Sequence, residues 1–232
     1  MWKYLIDFIY FLFVLIFSGI SVQAQNTFRS ELAIGGSAGA GFSTVSFRPK
    51  VTQNTLIGYH GGASVRWITE KNLGLQLEIN FTQKGWKEAI DLTDDDESPS
   101  ITNPFYIRKM RYMEIPLFTH IYFGSDKARF FVNMGPQIGF FVHESTDQNL
   151  NGAAMPNRPH EQHSMPVEKK FEWGIGGGPG VELRSDIGFF LLEGRYYYGL
   201  SDFYNTRRGD AFSRAANQTI TVKLTYFVPL WK

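Results

Sequence analysis

Five stretches of this chain hold residue types that do chemistry elsewhere. Gly174-Ile175-Gly176-Gly177-Gly178-Pro179-Gly180 has the glycine density of a phosphate-cradling loop. It lacks the Lys-Ser/Thr that must follow such a loop, and it sits within a strand pattern rather than ahead of a helix. His160-Glu161-Gln162-His163 offers two imidazoles, but not in the His-Glu-x-x-His spacing that turns both ligands to one helix face, and Pro159 and Pro166 bracket it as a loop. Asp94-Asp95-Asp96-Glu97 could gather Ca²⁺ against lipid phosphates, yet it has neither the glycine nor the ligand spacing of a calcium loop. Arg207, Arg208 and Arg214 could pair with phosphate oxygens by charge-assisted hydrogen bonds. His143, Glu144, Ser145 and Asp147 bring an acid, a base and a hydroxyl together without a nucleophile elbow or other specific spacing. No catalytic residue, cofactor site or metal site is therefore expected, and the chain is expected not to be an enzyme.

The elements that would have to position these residues are strands. The 232 residues contain no cysteine, which removes disulfides, thiolate metal sites and cysteine nucleophiles. Lys plus Arg is 23 against 22 Asp plus Glu, a balance that argues against nucleic acid as a partner. The many Phe, Tyr and Gly residues favour β-structure. Mean hydropathy of -0.20 would suit a soluble protein, but the strands of a membrane barrel alternate and average to neutral as well.

Residues 1–24 read as a secretory signal peptide. Lys3 precedes an apolar run from Phe8 to Phe17, and Val22 and Ala24 stand where a signal peptidase inspects small residues. The mature domain then covers residues 25–232, beyond the cytoplasm.

Within it the period is two. Ile57, Tyr59, Ala63, Val65 and Trp67 alternate with Gly58, His60, Ser64 and Arg66. Leu73, Leu75, Leu77, Ile79 and Phe81 alternate with Gln76, Glu78 and Thr82, across a turn at Glu70-Lys71-Asn72. Similar pairs flank turns at Gly124-Ser125-Asp126-Lys127 and at Arg184-Ser185-Asp186, and a last strand alternates from Thr219 to Leu230. An opening strand near 32–46 is diluted by Gly35, Gly36, Gly39 and Gly41. Eight strands result, each of roughly ten residues or more, enough to cross a bilayer at a tilt. Tight turns alternate with long connections at about Phe47–Thr55, Glu88–Pro104, His143–Lys170 and Ser201–Asn217. The expected fold is all-β: an eight-stranded antiparallel up-and-down transmembrane β-barrel in the cell outer membrane, with turns in the periplasm and loops outside.

One strand face is almost uncharged and suits lipid. The other bears Arg66, Glu78, Glu114, Glu172, Glu182, Glu193, Arg195 and Lys223, the inverse of a soluble ligand-carrying barrel. Of these, Arg66, Glu78, Glu114, Glu193, Arg195 and Lys223 form the expected charge network of a plugged lumen. Trp67, Phe123 and Phe130 near the turns, Trp173, Tyr196 and Tyr198 near the loops, and Trp231 at the chain end make expected interfacial aromatics.

Gly74-Leu75-Gln76-Leu77-Glu78, Gln83-Lys84-Gly85-Trp86, Tyr112-Met113-Glu114-Ile115-Pro116-Leu117 and Leu192-Glu193-Gly194-Arg195-Tyr196-Tyr197-Tyr198-Gly199-Leu200 resemble the PorT-type, porin-like outer-membrane β-barrel family of Gram-negative bacteria. Gly135-Pro136 and the run from Gly174 to Gly180 extend the resemblance over the mature chain. It implies an eight-stranded barrel and little about activity. A structural or binding barrel is expected. The alternatives are an accessory part of a protein-secretion or maturation system, which the founding type of the family suggests, and a lipid-modifying outer-membrane enzyme. Expected partners are outer-membrane lipid and lipopolysaccharide, with secretion-system proteins a further possibility; a single closed barrel is expected to be a monomer.

Overall fold

The computed structural model describes residues 29–89, 105–149, 161–207 and 209–231. The signal-peptide segment, Asp94–Glu97, His160 and Arg208 lie outside the described residues. Eight strands close on themselves in sequence order: β1 (Glu31–Arg48), β2 (Leu56–Glu70), β3 (Leu73–Ala89), β4 (Phe105–Gly124), β5 (Ala128–Asn149), β6 (Phe171–Ser185), β7 (Gly188–Gly199) and β8 (Arg214–Trp231). All neighbours are antiparallel, and β1 pairs with β8, so no backbone edge is left open. No helix among the described residues is long and apolar enough to cross a membrane. The crossing is made by strands.

Each strand alternates as the sequence does. Ile57, Tyr59, Val65 and Trp67 of β2 are exposed on the outer wall, while His60, Ser64 and Arg66 between them are buried inside. The outer wall collects the aliphatic and aromatic surface that water would reject and lipid accepts.

Several strands run further than the sequence suggested. β5 continues through His143 to Asn149, β3 through Glu88 to Ala89, β1 through Phe47 to Arg48, and β8 already begins at Arg214. The extra pairs keep the period of two but exchange apolar outer residues for Lys109, Arg111 and His143, so they lack the hydrophobic contrast by which a strand is noticed. Likewise Arg184 and Ser185 belong to β6 rather than to the turn after it. The glycine-diluted opening strand pairs along its length with both neighbours.

The Gly174–Gly180 run is barrel wall. Its even positions face inward, and aromatic rings lie over them: Tyr197 over Gly174, Phe118 over Gly176 and Phe131 over Gly180. A Cβ on Gly180 would collide with Cζ of the Phe131 ring and sit 2.7 Å from its Cε1. A narrow barrel accepts rings inside only where the facing wall has no side chain. Gly180→Ala is therefore expected to destabilise the barrel by about 1–3 kcal/mol through overpacking. Gly194→Ala, on the outer wall with nothing within 4 Å of the added methyl, should be near neutral. The temperature at which the compact, fast-migrating band is lost on an unboiled denaturing gel measures both; equal melting of the two variants would refute the packing argument.

Candidate functional site

Ionisable groups from several strands converge in the lumen. Strand β3 sets its axis, because every second residue from Gln76 to Glu88 points inward, through Glu78, Asn80, Thr82, Lys84 and Trp86. Charged neighbours from other strands meet this row at separate levels.

At the turn end, Glu182 receives Arg66 and Arg184, the latter at 2.8 Å, and Arg184 also binds Glu31. Half-way up, Arg195 holds Glu78 with two guanidinium nitrogens, both at 2.9 Å, and reaches Glu193 at 2.9 Å. Lys223 adds a bond to the same Glu78 at 2.8 Å and stands 3.5 Å from Glu193. Above that, Lys84 bridges Glu114, at 2.6 Å, and Glu172. Thr82 donates its hydroxyl to Glu114 at 2.9 Å, so the Nδ1 of His60, 3.1 Å from that oxygen, is the donor toward Thr82. Asn217 donates to the second oxygen of Glu172 at 2.8 Å.

Most of these cations also rest on rings. Arg66 lies 4.6 Å from the centre of Phe227, Arg184 3.8 Å from Phe189, Arg195 4.3 Å from Phe118, and Lys84 4.5 Å from Tyr112. A guanidinium so placed exchanges its water for a carboxylate fork in its plane and a π-face beside it.

The loop end is shut by a hydrophobic cluster. Trp86 is fully buried at its centre, 5.1 Å from Phe47 and stacked at 6.2 Å on Phe203, with Tyr204, Phe212 and Val167 around it. Arg108 reaches inward from the β4 extension to Glu144, the Gln162 carbonyl at 2.9 Å and the Tyr204 hydroxyl at 3.0 Å. Burial holds the Tyr204 phenol above its ordinary pKa, so it stays protonated and donates to the same carbonyl. Connections 49–55, 161–170, 200–207 and 209–213 thus fold over the lumen instead of standing away from it.

The sequence profile of the outer membrane protein beta-barrel domain matches residues 23–205. The chain belongs to that family. Its place is accordingly the cell outer membrane. Among solved structures, this family member is similar to the attachment invasion locus protein Ail of Yersinia pestis, at 11% identity over 85% of this chain and 99% of that one, with a TM-score of 0.41. The outer membrane protein OprG of Pseudomonas aeruginosa is 12% identical over 86% and 95%, with a TM-score of 0.44. The outer membrane enzyme PagL is 10% identical over 85% and 99%, with a TM-score of 0.43. No curated protein matches the chain.

All six charges singled out from the sequence lie inside this barrel, but not as one group. Glu78, Glu193, Arg195 and Lys223 meet at mid-height; Arg66 belongs to the turn-end level and Glu114 to the level of Lys84. Lys84, Glu31, Arg184 and Arg108 were absent from the expected network. The first continues the even row of β3 and could have been read from that period; Glu31, Arg184 and Arg108 fall where the strand pattern is weakest. The seven aromatics stand on the outer wall. Trp67 and Trp231 flank Leu32 at the turn end and Phe123 faces Phe130, while Trp173, Tyr196 and Tyr198 lie toward the loops. His163 is stacked on Tyr106, with ring centres 3.9 Å apart, and contacts Glu88 at 3.1 Å. Arg214 donates to the Tyr198 hydroxyl and the Gly199 carbonyl.

The levels differ in how much they lose when one cation goes. Lys84→Met leaves Glu114 and Glu172 without a positive partner, at a cost of about 3–5 kcal/mol. Lys223→Met leaves Arg195 still shared between Glu78 and Glu193 and should cost clearly less. In a double-mutant cycle Lys223 should couple more strongly to Glu78 than to Glu193, since the first contact is 2.8 Å and the second 3.5 Å. Denaturant unfolding in detergent checks the order, and equal losses for the two lysines would contradict it.

Proposed function

We propose that this protein is a closed, non-conducting outer-membrane barrel whose task is structural or binding and is performed at its two ends. The observation that supports this best is the occupied lumen: carboxylates and cations from strands on different sides bond at three successive levels, under an aromatic lid. Eight strands enclose a space that side chains fill, and pairs of this kind leave no continuous water column to conduct.

The stretches behind the PorT-type resemblance fit the same reading. Tyr112 and Glu114 from one, and Glu193, Arg195 and Tyr197 from another, all point into the lumen, where they build the ladder. They speak for a shared barrel interior. At the outer rim, Glu144 is engaged by Arg108 and Asp147 by Lys109. Both acids of the segment are thereby held in ion pairs. This supports a role other than catalysis. The aromatics at both ends of the apolar band serve in this reading as anchors at the two lipid–water interfaces.

Planar-bilayer recording of the pure protein is expected to show no steady single-channel conductance; large stable openings would overturn the closed lumen. Orientation is tested separately, since the native chain has no cysteine. Cysteines at Asp95, His160 or Arg208 should react with an impermeant maleimide on whole cells, and those at Asn72, Asp126 or Asp186 should not. The opposite pattern would invert the barrel.

A further inference from the structure

The two ends of the lumen are not alike. The loop end is sealed, whereas the turn end opens into a cavity of about 540 Å³ lined by charged side chains, a volume ordinary for small-ligand sites. Its floor is the turn-end ion cluster, whose carboxylate oxygens are each held by a guanidinium. Both oxygens of Glu31 accept from Arg184, and the two oxygens of Glu182 accept from Arg184 and Arg66.

Among the described residues Arg129 has no hydrogen-bonded carboxylate. It enters the mouth from the start of β5, its Cα opposite that of Glu182, whose two oxygens bond Arg66 and Arg184 and not Arg129. Its guanidinium is held against Tyr122, 4.4 Å from the ring centre, and its side chain is only 14% exposed. The nearest carboxylate is that of the fully exposed Asp126, at 3.9 Å, outside hydrogen-bond range. Arg29 and Lys127 line the same cavity, with no carboxylate bonded to either among the described residues. The lining carboxylates besides Glu31 are Asp126 and Asp186, so cations are in excess at the point where a fixed guanidinium faces open volume.

We propose that this turn-end vestibule is a binding site for a small oxyanion, a phosphate or a carboxylate end group, with Arg129 as its principal donor. A planar guanidinium presents two parallel N–H groups that match two oxygens of either ion. Contact with the Tyr122 ring holds the guanidinium in place in advance, so binding does not have to order a long side chain. Arg29 and Lys127 supply flanking positive charge. The site stands on the geometry of the mouth and is independent of whether the lumen conducts.

The full chain in a maltoside detergent, free of phosphate headgroups, is titrated by calorimetry with inorganic phosphate and, separately, with N-acetylalanine as a peptide-like carboxylate. The expected result is saturable binding of at least one probe, weakened about tenfold or more in Arg129→Gln. Binding should be unchanged in Arg111→Gln, a substitution on the outer wall toward the loops. Phosphate alone would assign the site to phosphate groups, and N-acetylalanine alone to carboxylate termini. Should Arg129→Gln lose the heat-shifted band that reports folding, Arg129→Lys keeps the charge, removes the fork and should still weaken binding. Failure of both probes to saturate, or equal affinity in wild type and the Arg129 variants, would overturn the proposal.

Discussion

A charge shut inside an eight-stranded barrel has nowhere to find water except at the ends, and the rest of this interior follows from that constraint. Lipid claims the outer wall, so every second residue must turn inward, polar or not. An ionised group in that narrow space is tolerable only when its counter-charge and its hydrogen bonds are supplied by the opposite wall. The levels around Glu182, Glu78 and Lys84 are three solutions to the same problem. The aromatic rings beside the cations and the glycines beneath the rings are consequences: a flat ring fills the remaining space, and only a bare backbone leaves room for it.

The barrel itself was plain in the sequence, because lipid outside and polar packing inside impose opposite chemistries on alternate residues. The same contrast made the lumen charges visible as a set. Their partnerships were not visible. Arg66 meets Glu182 across the barrel, 116 positions along the chain, and Glu114 meets Lys84 on the adjacent strand; which residues share a height depends on strand stagger, and alternation carries no information about stagger. The ends were misjudged for a related reason. Beyond the bilayer both faces of a strand meet water or protein, the contrast fades, and strand residues such as His143 to Asn149 look like loop. The lid around Trp86 was hidden too, since it joins segments that no local pattern connects.

The two ends of the barrel differ from the lumen and from each other. The charges that bond to one another at each level are committed to the wall, and the stretches most characteristic of the sequence are spent there. The turn-end rim is where charged groups meet open volume. At the loop end, apolar packing has closed the opening; at the turn end, ionic packing has left it open with cations in excess. Such a barrel has one wall and two different faces, and sequence motifs that define the wall say little about either face.

The length of β4 and β5 has a mechanical meaning. Their 20 and 22 residues exceed by about twofold the 9–11 that a tilted strand needs to cross a bilayer. At a rise of about 3.3 Å per residue and a tilt near 45°, β5 spans roughly 50 Å of height, against an apolar band of about 25 Å. The surplus stands clear of the lipid as a stiff collar, cross-braced by Arg108 and Lys109 to the neighbouring strand. Anything gripping that collar would meet a surface already ordered, and the free energy of contact would not be drained by freezing a loop. Long-lived attachment could then arise from a modest footprint, with the membrane-embedded half acting as ballast.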